Sequence, residues 1–191
     1  MYGYALQVGR DSSDIGSSSA ILDTDSYSLV FYGTLPHEDG RFLDAALGVS
    51  TLKTDHFRTK KMVDLTRNSN SNLTGKRDGK QIFGSIKLNK LYYKKNININ
   101  PTAKFDFGFT ELSAFQENGD AHALIYDKHQ IPNGFASLGM LVDKTKKFNN
   151  GNKFKPMARL EYIADFSPST NTNVSYLSDP NTDYFIRIGN Q

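Results

Sequence analysis

Cysteine and tryptophan are both absent from the 191 residues of this chain. Without cysteine there is neither a disulfide framework nor a thiolate metal site. The four histidines, His37, His56, His122 and His129, are far apart and share no metal-ligand spacing, so they are expected at the surface. Long apolar runs are missing as well. No stretch approaches the ~18 consecutive apolar residues of a transmembrane helix, which excludes a helical membrane protein. A transmembrane barrel stays open, because alternate residues of its strands face a wet interior and the average hydropathy remains polar. No segment carries a convincing helical period. No Ser-His-Asp, Gly-rich phosphate or paired-carboxylate constellation argues for an enzyme, and no cofactor is expected. The start, MYGYALQVGRD, lacks the basic residues, apolar core and cleavage site of a signal peptide. It reads as a strand, so the chain is expected to be either cytoplasmic or a piece of a longer protein.

Charge is modest and scattered, at +3 net. Its one concentrated run, Arg58 to Lys61, falls in an expected loop, and no basic stripe interleaves with stacking aromatics, so nucleic acid is not an expected partner. Hydrophobic residues make up only 38%, while aromatics are plentiful, with 13 Phe and 10 Tyr.

The clearest pattern lies between Pro101 and Gly119, PTAKFDFGFTELSAFQENG. Ala103, Phe105, Phe107 and Phe109 alternate with Lys104, Asp106, Gly108 and Thr110, which gives a strand one apolar and one polar face. A half-buried strand of a soluble sheet reads the same way over so short a span. What separates the two readings is recurrence of the pattern in many long segments joined by turns.

It recurs. Tyr2, Tyr4, Leu6 and Val8 share a face, as do Tyr27, Leu29 and Phe31, and then Leu43, Ala45, Leu47 and Val49. Ile82, Ile86 and Leu88 follow; later come Ala136, Leu138, Met140 and Val142, and Ala158, Leu160, Tyr162 and Ala164. Arg159, Glu161 and Asp165 oppose the last set. Asp11 to Ser19, Leu35 to Gly40, Lys94 to Asn100 and Lys144 to Lys153 read as turns or polar connections. Asp55 to Lys80 reads as one long irregular loop with strand ends reaching into it. His122 to Lys128 is a weak strand, and a polar stretch, Ser167 to Asp183, precedes a last strand from Tyr184 to Gly189. The total is about nine strands, many near the ~10 residues that cross a bilayer when tilted. The glycines Gly3, Gly9, Gly48, Gly84, Gly108 and Gly139 are expected mostly on inward faces, where they relieve crowding.

In this order the landmarks LQVGRD, SYSLVFYGTLPHEDGRFLDAALG, the aromatic strand from Pro101 to FQENG, the Leu138-Gly139 pair and PMARLEY resemble the β-barrel translocator domain of bacterial autotransporters (type V secretion). The resemblance spans nearly the whole chain. It implies an all-β fold, an antiparallel up-and-down transmembrane β-barrel (a meander) in the bacterial outer membrane. It also implies a translocator that anchors and exports a passenger domain of the same chain. Its partners would be outer-membrane lipid and the machinery that assembles outer-membrane barrels. Family barrels have about twelve strands, an even number as bacterial barrels require. They also end on an aromatic residue, whereas this sequence stops at Ile188-Gly189-Asn190-Gln191. The expectation is therefore a barrel incomplete at both ends, lacking its first strands with the lumen helix and roughly the last three strands. Passenger and signal peptide would lie upstream. Some family members cut their own passenger with lumen acids and an Asn near that helix, an activity not carried over without the helix.

On this reading Leu43, Leu47, Val49, Phe105, Phe107, Phe109, Leu160 and Tyr162 face lipid, with tyrosines near the interfaces. Lys104, Asp106, Arg159, Glu161 and Asp165 line a hydrated lumen. Glu117, which matches the Glu of the family's aromatic-Glu-Gly signature, joins them. Two other readings remain: an outer-membrane barrel of porin or adhesin type, and a soluble all-β binding module whose apolar faces bury each other.

Overall fold

Alternation without helical period should give long strands laid side by side, and it does. The computed structural model describes residues 1–15, 20–63, 68–120 and 122–188. In chain order the strands are β1 (Tyr2–Ile15), β2 (Ala20–Pro36), β3 (Arg41–Val63), β4 (Asn68–Lys90), β5 (Tyr92–Lys94), β6 (Ile97–Leu112) and β7 (Phe115–Gln116). Then come β8 (Leu124–Tyr126), β9 (His129–Lys144), β10 (Lys146–Lys147), β11 (Lys153–Phe154), β12 (Met157–Asp165), β13 (Thr170–Tyr176) and β14 (Asp179–Ile188). No helix occurs among the described residues.

The main sheet is an antiparallel meander in the order β1-β2-β3-β4-β6-β9-β12, with β5 paired to β6. It is open: β1 and β12 are its edges and do not pair with each other. A smaller sheet, β14-β13-β8-β7, stands at one end. It begins where β6 leaves β4 at the Gly79–Leu112 pair. Beyond that point the free edge of β4 takes a new partner, with Thr74 and Asn118 exchanging hydrogen bonds of 3.0 and 2.6 Å.

The two ends of the main sheet differ. On one side the connections are short: β2 and β3 are joined through Gly40 at φ +78°, and β5 and β6 through Lys95 and Asn96. On the other side strands run far past their neighbours, and β3 and β4 reach 23 residues each. Short turns on the periplasmic side and long extensions on the outer side are the rule for bacterial barrels.

Several segments differ from the sequence reading. Asp55 to Val63 and Asn68 to Lys80 are not irregular loop but the outer parts of β3 and β4, in register from Arg41–Lys90 to Val63–Asn68. Asp11 to Ile15, expected as turn, extends β1 against Ala20 to Thr24. Most of the Lys94 to Asn100 turn is strand, and the polar stretch from Ser167 contains β13 and the start of β14. The reason is common to all. Small and polar residues occupy much of both faces of these segments, so no apolar period marks them, and the backbone ladder with its cross-strand pairs holds them instead. The expected turn residues 16–19, the middle of the Asp55 to Lys80 segment at 64–67, and the end of the last strand at Gly189 lie outside the described residues.

Candidate functional site

The register assembles the apolar faces into one band. Four rows cross the sheet: Leu6–Leu29–Val49–Ile82–Phe109–Pro132, Tyr4–Phe31–Leu47–Gly84–Phe107–Gly134, Tyr2–Gly33–Ala45–Ile86–Phe105–Ala136–Ala164, and Leu35–Leu43–Leu88–Ala103–Leu138–Tyr162. None contains a charge. The first charges on this face of β4 are Lys80 on one side and Lys90 on the other. Ten residues at ~3.3 Å each, tilted by ~40°, cover about 25 Å, the height of the apolar band of an outer-membrane barrel. Leu160 extends the band on β12, opposite Met140.

These side chains are not covered. Phe105 is 46% exposed, Leu47 48% and Leu160 76%, while the buried apolar side chains among the described residues are Ala20, Leu73, Ala123 and Val174. A soluble sandwich must bury its apolar faces against each other. Here the fold offers nothing to bury them against except solvent or lipid. Within the band, packing is local. The rings of Phe105 and Phe107 stack at 6.3 Å, and the Phe107 ring lies over Gly84, where a Cβ would stand 2.5 Å from it. Gly84 therefore faces outward, in row with Leu47, and not inward as expected from sequence.

The opposite face carries small and polar residues. Lys104 and Asp106 lie there two residues apart, paired at 2.8 Å, opposite Ser137 and Phe135 of β9. Arg159 and Glu161 form a second pair at 2.7 Å on β12, and Asp165 at its end accepts a 2.8 Å bond from Ser167 N. Hydrogen bonds run across the strands between them: Ser28 to Ser50 at 2.9 Å, Thr34 to Asp44 at 2.7 Å, Asn89 to Asp44 at 3.1 Å and Gln81 to Thr110 at 3.0 Å. These polar groups thus satisfy one another while the face remains open to water. Phe83 lies across Gly48 and Asn133 against Gly108, so the wall stays low where side chains cross.

Glu117 sits elsewhere. It follows β7, beyond the apolar band, on the inward continuation of β3 and β4, and its side chain is fully buried. Arg58 of β3 donates to it twice, Nε to Oε1 at 3.1 Å and Nη2 to Oε2 at 2.6 Å. Leu124 N donates to Oε2 at 2.9 Å, and His56 Nδ1 approaches Oε1 to 3.6 Å. Aromatic rings close the site: Phe115 and Tyr126 stack at 4.6 Å, His56 stands edge-on to both, and Arg77 lies 5.3 Å over Phe115. Burial favours the neutral acid, but the side chains of His56 and Arg58 and the Leu124 amide outweigh it and hold the carboxyl down to about 2. The same pairing raises the Arg58 guanidinium. The site locks the β7–β8 segment onto the outer hairpin.

The sequence reading had Glu117 among the lumen acids and missed its partners. Arg58 was placed in a loop, and His56 at the surface. His129 was placed at the surface too, yet it is buried, with Nε2 3.1 Å from Thr170 Oγ1 on β13. No local signal marks these contacts, because each joins strands distant in sequence.

A charge-free band of membrane height, backed by a polar wall on a helix-free meander, specifies an outer-membrane sheet. Among protein families, the model of the autotransporter beta-domain matches residues 1–191. The chain belongs to the autotransporter beta-domain family. No curated protein matches it. As an autotransporter β-domain it is an integral outer-membrane barrel domain of Gram-negative bacteria, an outer-membrane translocator linked to a passenger. This rules against the soluble module.

Proposed function

We propose that this autotransporter β-domain anchors a passenger carried on the same polypeptide and exports it to the cell surface along its inner face. The outer-membrane assembly machinery inserts it, and it performs no catalytic step of its own. One observation carries the reading: the same strands that present an unbroken apolar band outward present glycine, serine and charged residues inward, with Lys104 paired to Asp106 and Arg159 to Glu161. An extended passenger needs a wall that is wet, low and poor in unpaired charge, so that no segment of varied sequence is held on the way through. Closing the ladder satisfies every backbone group, as a bilayer demands.

The test exploits the absence of cysteine from these 191 residues, with any cysteine elsewhere in the full-length protein replaced by serine. In the full-length protein, a passenger stalled in transit and bearing one cysteine is paired with a cysteine at Ser137 on the inner face or at its neighbour Leu138 on the outer face. Disulfide capture from Ser137→Cys and not from Leu138→Cys supports transit along the inner wall. Capture from neither, or equally from both, overturns it.

A further inference from the structure

The short-turn side of the sheet is built from three connections remote in sequence. Leu91 N donates to Gly40 O at 3.0 Å, and Thr145 N donates to Asn96 O at 3.0 Å. The connections at 37–40, 91–96 and 145–156 thereby form one continuous rim. Lys95 and Asn96, at φ 46° and 66°, are the central pair of a tight hairpin turn that calls for positive φ at both positions. β10 and β11 form a second small hairpin, with Lys147 opposite Lys153 and Lys146 opposite Phe154.

This folding concentrates charge of one sign. Two local acids are taken up within the rim: Asp39 by Arg41 at 2.6 Å and Lys90 at 3.6 Å, and Asp143 by Lys155 at 3.3 Å. Glu38 is the one other acid in the three connections. Lys94, Lys95, Lys144, Lys146, Lys147 and Lys153 are exposed and make no ion pair among the described residues. Aromatic rings are interleaved with them. Lys90 Nζ lies 4.9 Å over Tyr92 and Lys146 Nζ 5.2 Å over Phe148, while Tyr93 and Phe154 are exposed at 75% and 58%. The opposite rim is different in kind: its charges alternate and neutralise one another, as in Arg10–Asp25 at 3.0 Å, Lys76–Asp55 at 3.4 Å and Lys128–Glu111 at 2.8 Å.

We propose that the short-turn rim is a binding site for the headgroups of anionic phospholipids in the periplasmic leaflet. The site rests on the outer-membrane placement of the chain. The rim begins one outward position past the apolar band, at Lys90 after Leu88, which is the depth of the phosphate layer. Aromatic rings at that level sit at the boundary between acyl chain and headgroup. Lysines beside them meet phosphate as point charges, and clusters of such residues next to a membrane surface select anionic over zwitterionic lipid. An acidic soluble partner would need the cations alone. Tyr92, in register with Ile99 and through it with Val142 at the end of the apolar face, favours lipid.

The test uses the full-length protein reconstituted in phosphatidylcholine bilayers, with spin-labelled phosphatidylglycerol or spin-labelled phosphatidylcholine as the probe. The expected result is a severalfold preference for immobilising phosphatidylglycerol, weakened by high salt. The preference should fall towards unity in K94Q/K95N/K146Q/K147Q and persist in the opposite-rim control K53Q/K76Q. Asn at 95 keeps a residue that tolerates positive φ. Should the quadruple variant not fold, K94Q and K147Q alone are each expected to lower the preference part-way. Equal immobilisation of the two lipids, a preference untouched by these substitutions, or full competition by soluble glycerophosphate would overturn the proposal. If no lipid of either kind were immobilised, the membrane placement itself would fail, a result distinct from loss of selectivity alone.

Discussion

Arg58 and Glu117 meet through two parallel hydrogen bonds, 3.1 and 2.6 Å, across 59 positions of sequence. With the carboxylate fully enclosed, this is the one buried acid of the described residues held by a fork of two guanidinium nitrogens. It fixes where the chain goes after β6 leaves the sheet.

Breaking the lock from one side should cost more than removing it. Arg58→Ala leaves Glu117 buried with only the Leu124 amide and His56 beside it, a loss of up to about 3–5 kcal/mol in comparable sites. Arg58→Met with Glu117→Leu should cost clearly less than Arg58→Ala, because no charge is stranded. Hydrogen exchange over residues 113–128 reads both. The exchange of β6 and β9 within the band should change little in either variant.

The lock also sets a pH response. Glu117 is held from 4.5 down to about 2 in the folded protein, so its contribution is complete above about 4.5 and disappears as pH falls towards 2. The shift corresponds to about 3 kcal/mol at neutral pH. Protease nicking in the β7–β8 segment should therefore rise between pH 4.5 and 2. Glu117→Gln should be more readily nicked at neutral pH and show a flatter profile over that window.

Gly84 has a steric reason to be glycine. A Cβ there would stand 2.5 Å from the Phe107 ring and 3.0 Å from the Ala46 carbonyl oxygen. Gly84→Ala should destabilise by about 1–3 kcal/mol through overpacking. Phe107→Leu should recover part of that loss in the double variant by freeing space, although the carbonyl contact remains. The temperature at which heat-modifiable gel mobility is lost measures it.

Neighbouring residues on β3 should respond in opposite ways to the same charge. Leu47 lies in the apolar band, and Arg there should cost about 2–4 kcal/mol. Ala46 faces inward between Tyr32 and Ser85, and Arg there has water and polar neighbours. Folding yield in lipid vesicles, compared for Leu47→Arg and Ala46→Arg, gives the contrast.

What was legible in the sequence was whatever one face of a strand shares with its own neighbours. The two-residue period groups Phe105, Phe107 and Phe109, and likewise Leu43, Leu47 and Val49, because one face of each strand joins the exposed apolar band and the other the polar wall. Where small and polar residues occupy both faces, the period vanishes, and the outer half of the β3–β4 hairpin reads as loop. Gly84 shares the two-residue period of Ile82 and Ile86, and its register with Leu47 and Phe107 confirms that it belongs to their outward face. Arg58–Glu117 and the basic rim share a deeper obstacle. Each is made by the path of the chain between distant strands, and no local spacing encodes it.

The central claim is that successive residues of these strands see lipid and water in turn. Because these 191 residues contain no cysteine, single cysteines at each position from Lys104 to Phe109, placed in the full-length protein with any cysteine elsewhere replaced by serine, report this directly in the native membrane. A membrane-impermeant maleimide should label positions 104, 106 and 108, and a lipid-soluble maleimide positions 105, 107 and 109. Uniform labelling of all six by the impermeant reagent would contradict the account.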